Sequence, residues 1–252
     1  MINTKYARST AKMVLSRTRQ KLHPVLRVME RGDARYCPCC QTHLRRFKPY
    51  GEIVVRPEAM CGVCGSVERD RLMYLFLTQK TDLLDGSRKK LLHVAPELAM
   101  QKLFQSAKNI DYLSADLADV SAMVKMDITD IAYPDNTFDV VYCSHVLEHV
   151  PDDRRAMREF LRVLKRGRWA LLHVPITADA TFEDSSITDP KERERVFGQF
   201  DHVRCYGPDY GDRLAEAGFI VEKNQYVEEI GPADTKRCGL DPNEAVYLCR
   251  KP

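Results

Sequence analysis

Four of the nine cysteines form two pairs with the spacing of a metal site. Cys37 and Cys40 make one Cys-x2-Cys pair, and Cys61 and Cys64 make a second pair after 20 intervening residues. This spacing is typical of a four-cysteine zinc site, in which each tight turn presents two sulfurs to one ion. Because four thiolates leave zinc no open position, we expect a structural site. Cys39 fits the spacing less well, and the alternative is that some of these cysteines are buried apolar residues.

A second group of polar residues follows an apolar run. Phe138–Cys143 has the pattern of a buried parallel strand, and Ser144 and His145 come directly after it. In open α/β sheets, ligands bind outside the carboxyl ends of the strands. His145 is therefore the candidate general base, because an imidazole titrates near neutrality. The alternative is a histidine that only lines the pocket.

The elements that must position these residues alternate between strands and helices from Lys90 onward. This alternation predicts a parallel sheet. The predicted strands are Leu91–Ala95, Tyr112–Ala115, Val124–Met126, Phe138–Cys143, Trp169–Val174, Phe219–Tyr226 and Ala245–Arg250, and the predicted helices between them are Glu97–Ser106, Ala118–Met123, Asp153–Lys165 and Tyr210–Ala217.

Composition and charge suggest how the chain is divided. The net charge is +3, but residues 1–35 hold nine Lys or Arg side chains against Glu30 and Asp33, a net +7. Such a basic arm can contact nucleic acid, an anionic surface or an acidic partner, or it can be an ordinary solvated face. The predicted parts are a basic helical arm (1–35), a zinc-ribbon module (36–66), a connecting helix (67–89) and an α/β domain (90–252) with a lid over 177–207.

The sequence also bears on location. No apolar run approaches the roughly 18 to 20 residues of a membrane span, and the first 35 residues lack the apolar core of a signal peptide. We therefore expect a cytoplasmic protein. Disulfides are rare in that compartment, so the nine cysteines favour metal binding or burial.

Several motifs occur in an order that carries a family resemblance. These are Leu91-Leu-His-Val-Ala-Pro-Glu97, Tyr112-Leu-Ser-Ala-Asp116, Met126-Asp-Ile-Thr129, Phe138–Asp153 and Asp201-His-Val-Arg-Cys-Tyr-Gly-Pro-Asp-Tyr-Gly-Asp-Arg-Leu-Ala-Glu-Ala-Gly-Phe219. Together with the cysteine pairs, they resemble a bacterial branch of the type 11, class I S-adenosylmethionine-dependent methyltransferases, over roughly residues 36–250. The resemblance implies an α/β fold with a Rossmann-like, seven-stranded, mostly parallel sheet and a small N-terminal zinc-ribbon module.

The resemblance also implies a cofactor site for S-adenosylmethionine, beside structural zinc. Asp116 would accept the ribose hydroxyls, Asp127 the adenine amino group, and Ile128 would flank the ring. Ala95-Pro96-Glu97 replaces the usual glycine-rich loop, so small Ala95 must permit close approach of the cofactor. The full set of expected cofactor contacts is His93, Ala95, Pro96, Glu97, Asp116, Leu117, Asp127, Ile128, Cys143 and Ser144.

Acceptor recognition is expected in the lid. His202 is the second-choice base, and Arg204 and Tyr206 are expected to bind an anionic or hydroxylated acceptor. His149 is a further candidate for substrate binding, although in related methyltransferases the Leu-Glu-His segment is often structural. For the middle of the lid, the alternative is a solvated, charged helix around Pro190–Phe197.

Three functions remain open from the sequence. The first is O-methylation of a small molecule, a sugar or a peptide natural product. The second is RNA methylation, in which the ribbon and the basic arm would contact phosphates. The third is a non-catalytic, zinc-containing binding module. The sequence predicts no membrane span, and specifies neither an acceptor nor an oligomeric state.

Overall fold

The computed structural model describes residues 22–51 and 54–252. Elements are numbered in chain order. The helices are α1 (the helical residues 22–29), α2 (Glu68–Lys80), α3 (Leu98–Ser106), α4 (Asp153–Val163), α5 (Pro190–Phe197), α6 (Tyr210–Glu216), α7 (Tyr226–Ile230) and α8 (Pro232–Cys238). The strands are β1 (Arg31–Cys37), β2 (Thr42–Leu44), β3 (Lys48–Tyr50), β4 (Arg56–Met60), β5 (Lys89–Val94), β6 (Ile110–Asp116), β7 (Val124–Lys125), β8 (Phe138–Ser144), β9 (Leu164–His173), β10 (Phe182–Glu183), β11 (Arg204–Cys205), β12 (Ile220–Asn224) and β13 (Val246–Arg250).

The chain divides into two compact units, each made from three segments. The cysteine unit holds the described residues up to Arg88, then Pro96–Ile110 and Gln225–Ala245. The sheet unit holds Lys89–Ala95, Asp111–Asn224 and Val246–Pro252. The predicted parts of the chain are consecutive, whereas each unit of the structure includes later segments of the chain.

The sheet unit contains seven strands in the order β12-β13-β9-β8-β5-β6-β7. Strand β8 pairs in parallel with β5 and β9, and β6 pairs in parallel with β7. Strand β13 is antiparallel to both β9 and β12. Every residue of β8 is buried, as its apolar sequence predicts for a central strand. The predicted Rossmann-like, mostly parallel sheet is therefore confirmed.

The cysteine unit contains two antiparallel hairpins, β1–β2 and β3–β4. One of its buried clusters is made by the paired cysteines together with Leu44, Phe47 and Val63. The buried guanidinium of Arg71 donates hydrogen bonds to the carbonyl oxygens of Cys238 and Gly239, both at 2.6 Å. It also donates to Ala59 and Ser66 and stacks 3.9 Å from the centre of the Phe47 ring. One side chain of α2 thus joins three parts of this unit.

Two local predictions are wrong. Residues 31–35 are not helical but belong to β1, because Tyr36 and Cys37 pair with β2 and the strand extends back from that hairpin. Helix α1 includes Pro24, and the predicted helical residues 1–21 lie outside the described range. The helix predicted over Ala118–Met123 is a series of turns and bends. There, Asp116 Oδ1 accepts the amides of residues 118 and 119, both at 2.7 Å.

Two further features concern the lid and the membrane. The segment 177–207 contains β10, α5 and β11, and α5 coincides with the charged helix considered as the alternative there. Among the described residues, no helix is both long and apolar enough to cross a membrane.

Candidate active site and metal centre

The four paired cysteines come together in the cysteine unit. One sulfur from each of Cys37, Cys40, Cys61 and Cys64 lies within 4.8 Å of the others. The Cys37–Cys64 and Cys40–Cys61 sulfur distances are 3.6 and 3.8 Å. Four thiols this close could hold a metal ion, and four cysteine sulfurs are a donor set that zinc prefers.

The neighbours of this cluster separate its members from Cys39. The Cys39 sulfur contacts the backbone oxygen of Asp70 at 3.6 Å and does not belong to the four-sulfur group. The hydroxyl of Ser66 lies 3.2 Å from the sulfurs of Cys37 and Cys64. Hydrogen bonds from Cys39, Cys40 and the other sulfurs hold the pKa of Cys37 well below the ordinary thiol value, which favours the thiolate.

At the carboxyl ends of β5 and β8 in the sheet unit, two non-glycine residues have left-handed backbone conformations. Ala95 has φ of +49° and His145 has φ of +54°. The Ala95 amide donates to Ala115 O at 2.8 Å, and the His145 amide donates to His173 O at 2.8 Å. Such conformations cost energy in L-residues and are concentrated at functional sites. The position that usually carries glycine thus keeps a glycine-like conformation with alanine.

Two carboxylates follow β6 and β7, as predicted. Asp116 Oδ1 accepts two amides of its own turn, and Asp127 Oδ1 accepts the amide and the hydroxyl of Thr129, both at 2.8 Å. Each aspartate therefore supports its loop through one oxygen. Ile128 is buried, whereas Leu117 is exposed.

The remaining predicted cofactor contacts lie in different surroundings. Ser144 is buried, and its hydroxyl has no hydrogen-bond partner among the described residues. Cys143 is buried beside it. His93 is fully buried, with Nδ1 3.1 Å from the Tyr112 hydroxyl. In the cysteine unit, Glu97 is the residue before helix α3 and Pro96 precedes it.

A carboxylate and several histidines gather after β8. Glu148 is 1% exposed, and its Oε1 lies 3.4 Å from His145 Nδ1. One ligand atom from each of Glu148, His149 and His202 lies within 4.8 Å of the other two. The His149 and His202 rings meet edge to face, with centroids 4.6 Å apart. The sheet unit therefore brings His145, His149 and His202 into one neighbourhood around a buried carboxylate.

The charges of this cluster are set by burial and by its members. Burial alone would raise the pKa of Glu148, but the His145 hydrogen bond lowers it below the ordinary value. Burial would lower the pKa of His149, but hydrogen bonding to Asp201 raises it. Burial and the positive charge of His149 lower the pKa of His202. A buried carboxylate beside two imidazoles can hold either protons or a cation.

Arg204 and Tyr206 occupy structural positions. Arg204 is 1% exposed and donates to the carbonyl oxygens of Leu147, Val150 and Pro151 at 2.5–2.8 Å. The Tyr206 hydroxyl donates to Asp153 Oδ2 at 2.6 Å. These contacts hold the segment after α5 against the turn after β8. The predicted role of both residues in acceptor binding stays a prediction.

Sequence reasoning gave too little weight to Glu148 and did not select Asp201. The signal for Glu148 was its place between an apolar residue and His149, directly after a buried strand. Asp201 lies 3.5 Å from His149 Nδ1 through Oδ1 and 3.3 Å through its backbone oxygen. Its signal was only its place next to His202. Periodicity and motif spacing could not predict the contact between His149 and Asp201, because the two residues are 52 positions apart.

Comparisons with known proteins find similarity to methyltransferases. Residues 84–172, about a third of the chain, match the family model described as a methyltransferase domain. Ajmaline N-methyltransferase of Rauvolfia serpentina is 31% identical over 48% of this chain and 40% of its own length. The chloroplastic 2-methyl-6-phytyl-1,4-hydroquinone methyltransferase 1 of Oryza sativa subsp. japonica is 31% identical over 47% of this chain and 32% of its own. The chain thus spans between a third and two fifths of these curated relatives.

Two of the solved structures that this chain resembles are named as methyltransferases. An S-adenosylmethionine-dependent methyltransferase of Archaeoglobus fulgidus aligns with a TM-score of 0.47 and 14% identity, over 72% of this chain and 94% of its own. Phosphoethanolamine N-methyltransferase 2 of Haemonchus contortus, solved with S-adenosylhomocysteine, aligns with a TM-score of 0.49 and 14% identity, over 75% and 53%. The fold assignment here rests on the strand order itself.

Proposed function

We propose that this protein is an S-adenosylmethionine-dependent methyltransferase that methylates a hydroxyl oxygen of a small molecule, a sugar or a peptide. The observation that carries the proposal is the match of residues 84–172 to a methyltransferase domain. In the sheet unit this segment supplies β5, β6, β7 and β8 and the polar residues that follow them.

The proposed cofactor site uses the ends of these strands. Asp116 Oδ2 accepts the ribose hydroxyls while Oδ1 supports the turn. Asp127 and Ile128 bind the adenine, and the unpaired Ser144 hydroxyl meets the methionine part. Because Ala95 already has a left-handed backbone, its small side chain leaves room for the cofactor. The contacts expected of His93, Pro96, Glu97, Leu117 and Cys143 stay predictions.

In this proposal His145 removes the acceptor proton. Methyl transfer from a sulfonium is an in-line displacement, so the protein must hold the oxygen close to the methyl group and accept its proton. Glu148 Oε1 lies 3.4 Å from His145 Nδ1 and supports an orienting role for the carboxylate. His202, the second candidate, has Nδ1 3.1 Å from Phe197 O and is less accessible.

The cysteine cluster is proposed to bind structural zinc. Its support is the close approach of the four sulfurs, since a bound metal would stabilise the small cluster of buried residues around them. The site supplies no open position for an acceptor.

The first experiment is a calorimetric titration with S-adenosylmethionine and S-adenosylhomocysteine. We expect micromolar binding that is weakened about 10- to 100-fold in Asp116→Ala, because hydrogen bonds to a charged group contribute about 1.5–3 kcal/mol. Asp116→Asn keeps an acceptor for the turn and isolates the loss of charge. Asp111→Ala, at the other end of β6, is the matched control and should bind as wild type.

Absence of binding by folded protein would overturn the enzyme proposal and favour the non-catalytic module. If both Asp116 variants bind S-adenosylmethionine as tightly as wild type, the cofactor proposal stands, but Asp116 does not bind the ribose.

A further inference from the structure

The sheet unit contains a second set of metal-ligand side chains, separate from the cysteines. We propose that Glu148, His149 and His202 bind a divalent transition-metal cation. One ligand atom of each lies within 4.8 Å of the other two. Two imidazoles and one carboxylate form a donor set that binds zinc, iron and manganese and leaves further positions for other ligands.

Two of the three side chains are buried with an unsatisfied atom. Glu148 is 1% exposed and His202 is 7% exposed. Glu148 Oε2 and His202 Nε2 have no hydrogen-bond partner among the described residues. A buried polar atom without a partner costs about 1–3 kcal/mol. A shared cation would satisfy both atoms at once.

The other nitrogen of each histidine is already held. His202 Nδ1 lies 3.1 Å from the backbone oxygen of Phe197. His149 Nδ1 lies 3.3 Å from the backbone oxygen of Asp201 and 3.5 Å from its carboxylate. Metal-binding histidines characteristically donate one ring N–H to such an oxygen, which leaves Nε2 as the ligand. For His202 the remaining nitrogen, Nε2, is the buried atom that lacks a partner among the described residues.

The backbone brings the two halves of the site together. The Val203 amide donates to the Glu148 carbonyl at 2.9 Å. Arg204 then holds the turn around residues 147–151 through three carbonyl oxygens. A cation bound at about 2.1 Å keeps its ligands roughly 3–4 Å apart, so small side-chain rotations would complete the set. These contacts hold the backbone of both halves of the site and leave the ligand atoms of the side chains available.

The use of the cation rests on the proposed function, whereas its binding does not. A positive charge beside His145 lowers the pKa of a hydroxyl that binds it, as it does for water. An acceptor oxygen placed there would release its proton to His145 more readily. The site would thus favour hydroxyl acceptors over amines.

The test counts metal in the whole protein after equilibrium dialysis against Zn²⁺, measured by mass spectrometry. Zinc is the probe because it binds such donor sets more tightly than manganese or iron(II). Wild type should hold two zinc ions per chain, and Glu148→Gln and His202→Ala should each hold one. His43→Ala, which alters an exposed histidine of the cysteine unit, should keep two. Cys40→Ser should lose one ion at the other site.

A second readout identifies the ligands. Co²⁺ added to protein whose cysteine site is filled with zinc should give visible absorption without thiolate charge transfer. Asp201→Asn, which alters only the residue that orients His149, should weaken Co²⁺ binding about 10- to 100-fold. Neither measurement needs S-adenosylmethionine, so failure of cofactor binding would not affect them. One zinc ion per wild-type chain, or two in the folded Glu148 and His202 variants, would overturn the proposal.

Discussion

At the residue scale, two residues that are not glycine have left-handed backbones at the ends of strands. Ala95 and His145 both have positive φ at the carboxyl ends of the neighbouring strands β5 and β8. For His145 this conformation places the imidazole beside Glu148. For Ala95 it reproduces the backbone path of a glycine with one extra methyl group. The sheet pairing on both sides maintains this strain.

Replacing Ala95 by glycine should release this strain. The left-handed conformation costs an L-residue about 1–2 kcal/mol, and glycine loses about 0.5–1 kcal/mol through the entropy of the unfolded chain. Ala95→Gly should therefore leave the free energy of unfolding unchanged or raise it by up to about 1.5 kcal/mol. Ala95→Val should lower it, because a β-branched residue tolerates positive φ poorly. Urea denaturation measures both, and a less stable glycine variant would contradict the argument.

His145→Ala should separate catalysis from cofactor binding. General-base catalysis contributes about 10²- to 10⁴-fold to a rate, so turnover should fall by that factor while affinity for S-adenosylmethionine stays near wild type. The two proteins are compared by S-adenosylhomocysteine release with a panel of hydroxylated sugars and peptides. The control is His43→Ala. Retained turnover in the His145 variant would transfer the role of base to another residue, His202 first.

At the element scale, α4 is fixed to the lid by a buried acid at its first turn. Asp153 accepts hydrogen bonds from Arg213 at 2.6 and 2.7 Å and from the Tyr206 hydroxyl. Arg213 also contacts Glu183 of β10. Burial alone would raise the pKa of Asp153, but the Arg213 and Tyr206 hydrogen bonds lower it below its ordinary value. Helix α4, α6 and the lid strand are thus joined through one carboxylate.

This carboxylate should make stability depend on pH in the acid range. A lowered folded-state pKa stabilises the fold above the unfolded value of about 3.9, and that stability is lost as pH falls through the folded pKa. Asp153→Asn should lose about 3 kcal/mol at pH 7, at the low end for a broken buried pair because Glu183 still faces Arg213.

Urea denaturation at pH 7 and pH 3 checks the sign. The difference in the free energy of unfolding between wild type and Asp153→Asn should be smaller at pH 3 than at pH 7. A constant gap would show that Asp153 acts through its shape and hydrogen bonds rather than its charge. Asp184→Asn, whose carboxylate is exposed and bonds only within its own turn, is the matched control.

The elements also show what the sequence could predict. Strands β5, β8, β13 and the second half of β9 follow from apolar runs, because burial on both faces leaves a continuous apolar signature. The helix expected at Ala118–Met123 does not form, since local hydrogen bonds to Asp116 satisfy the amides that a helix would use. Strand β9 begins at Leu164, directly after α4, although the pattern of Asp153–Lys165 is helical. Pairing of Phe138 with Leu164 overrides that local preference.

The candidate site was predictable only in part. Ser144 and His145 were found because they end a strand that reads clearly in the sequence. The proximity of His202 to Glu148 and His149 depends on the path of the lid, which has no periodic pattern. Arg204 looked like an anion-binding residue by type, and only its buried contacts with backbone carbonyls indicate a bracing role.

At the scale of the whole molecule, the cysteine unit should depend on its metal. Four cysteine sulfurs lie in one buried cluster of this unit, and the proposed zinc ion would hold them together. Cys40→Ser should remove about one zinc ion per chain and lower the melting temperature. Cys39→Ser is the matched control one position away, outside the four-sulfur group, and should keep the metal. The zinc content and the melting temperature are measured for both variants. Loss of zinc in Cys39→Ser but not in Cys40→Ser would make Cys39 the ligand in place of Cys40.

The Arg71 contacts bear on the order in which the chain can fold during synthesis. Arg71 binds the carbonyl oxygens of Cys238 and Gly239, which leave the ribosome some 167 residues later. At the usual synthesis rate of about 5–20 residues per second, those partners emerge roughly 10–30 seconds after Arg71. Until then, a nascent chain must keep a positive charge next to Phe47 without its full set of acceptors. The cysteine unit can therefore complete its fold only after the segment Gln225–Ala245 has left the ribosome, long after its paired cysteines have emerged.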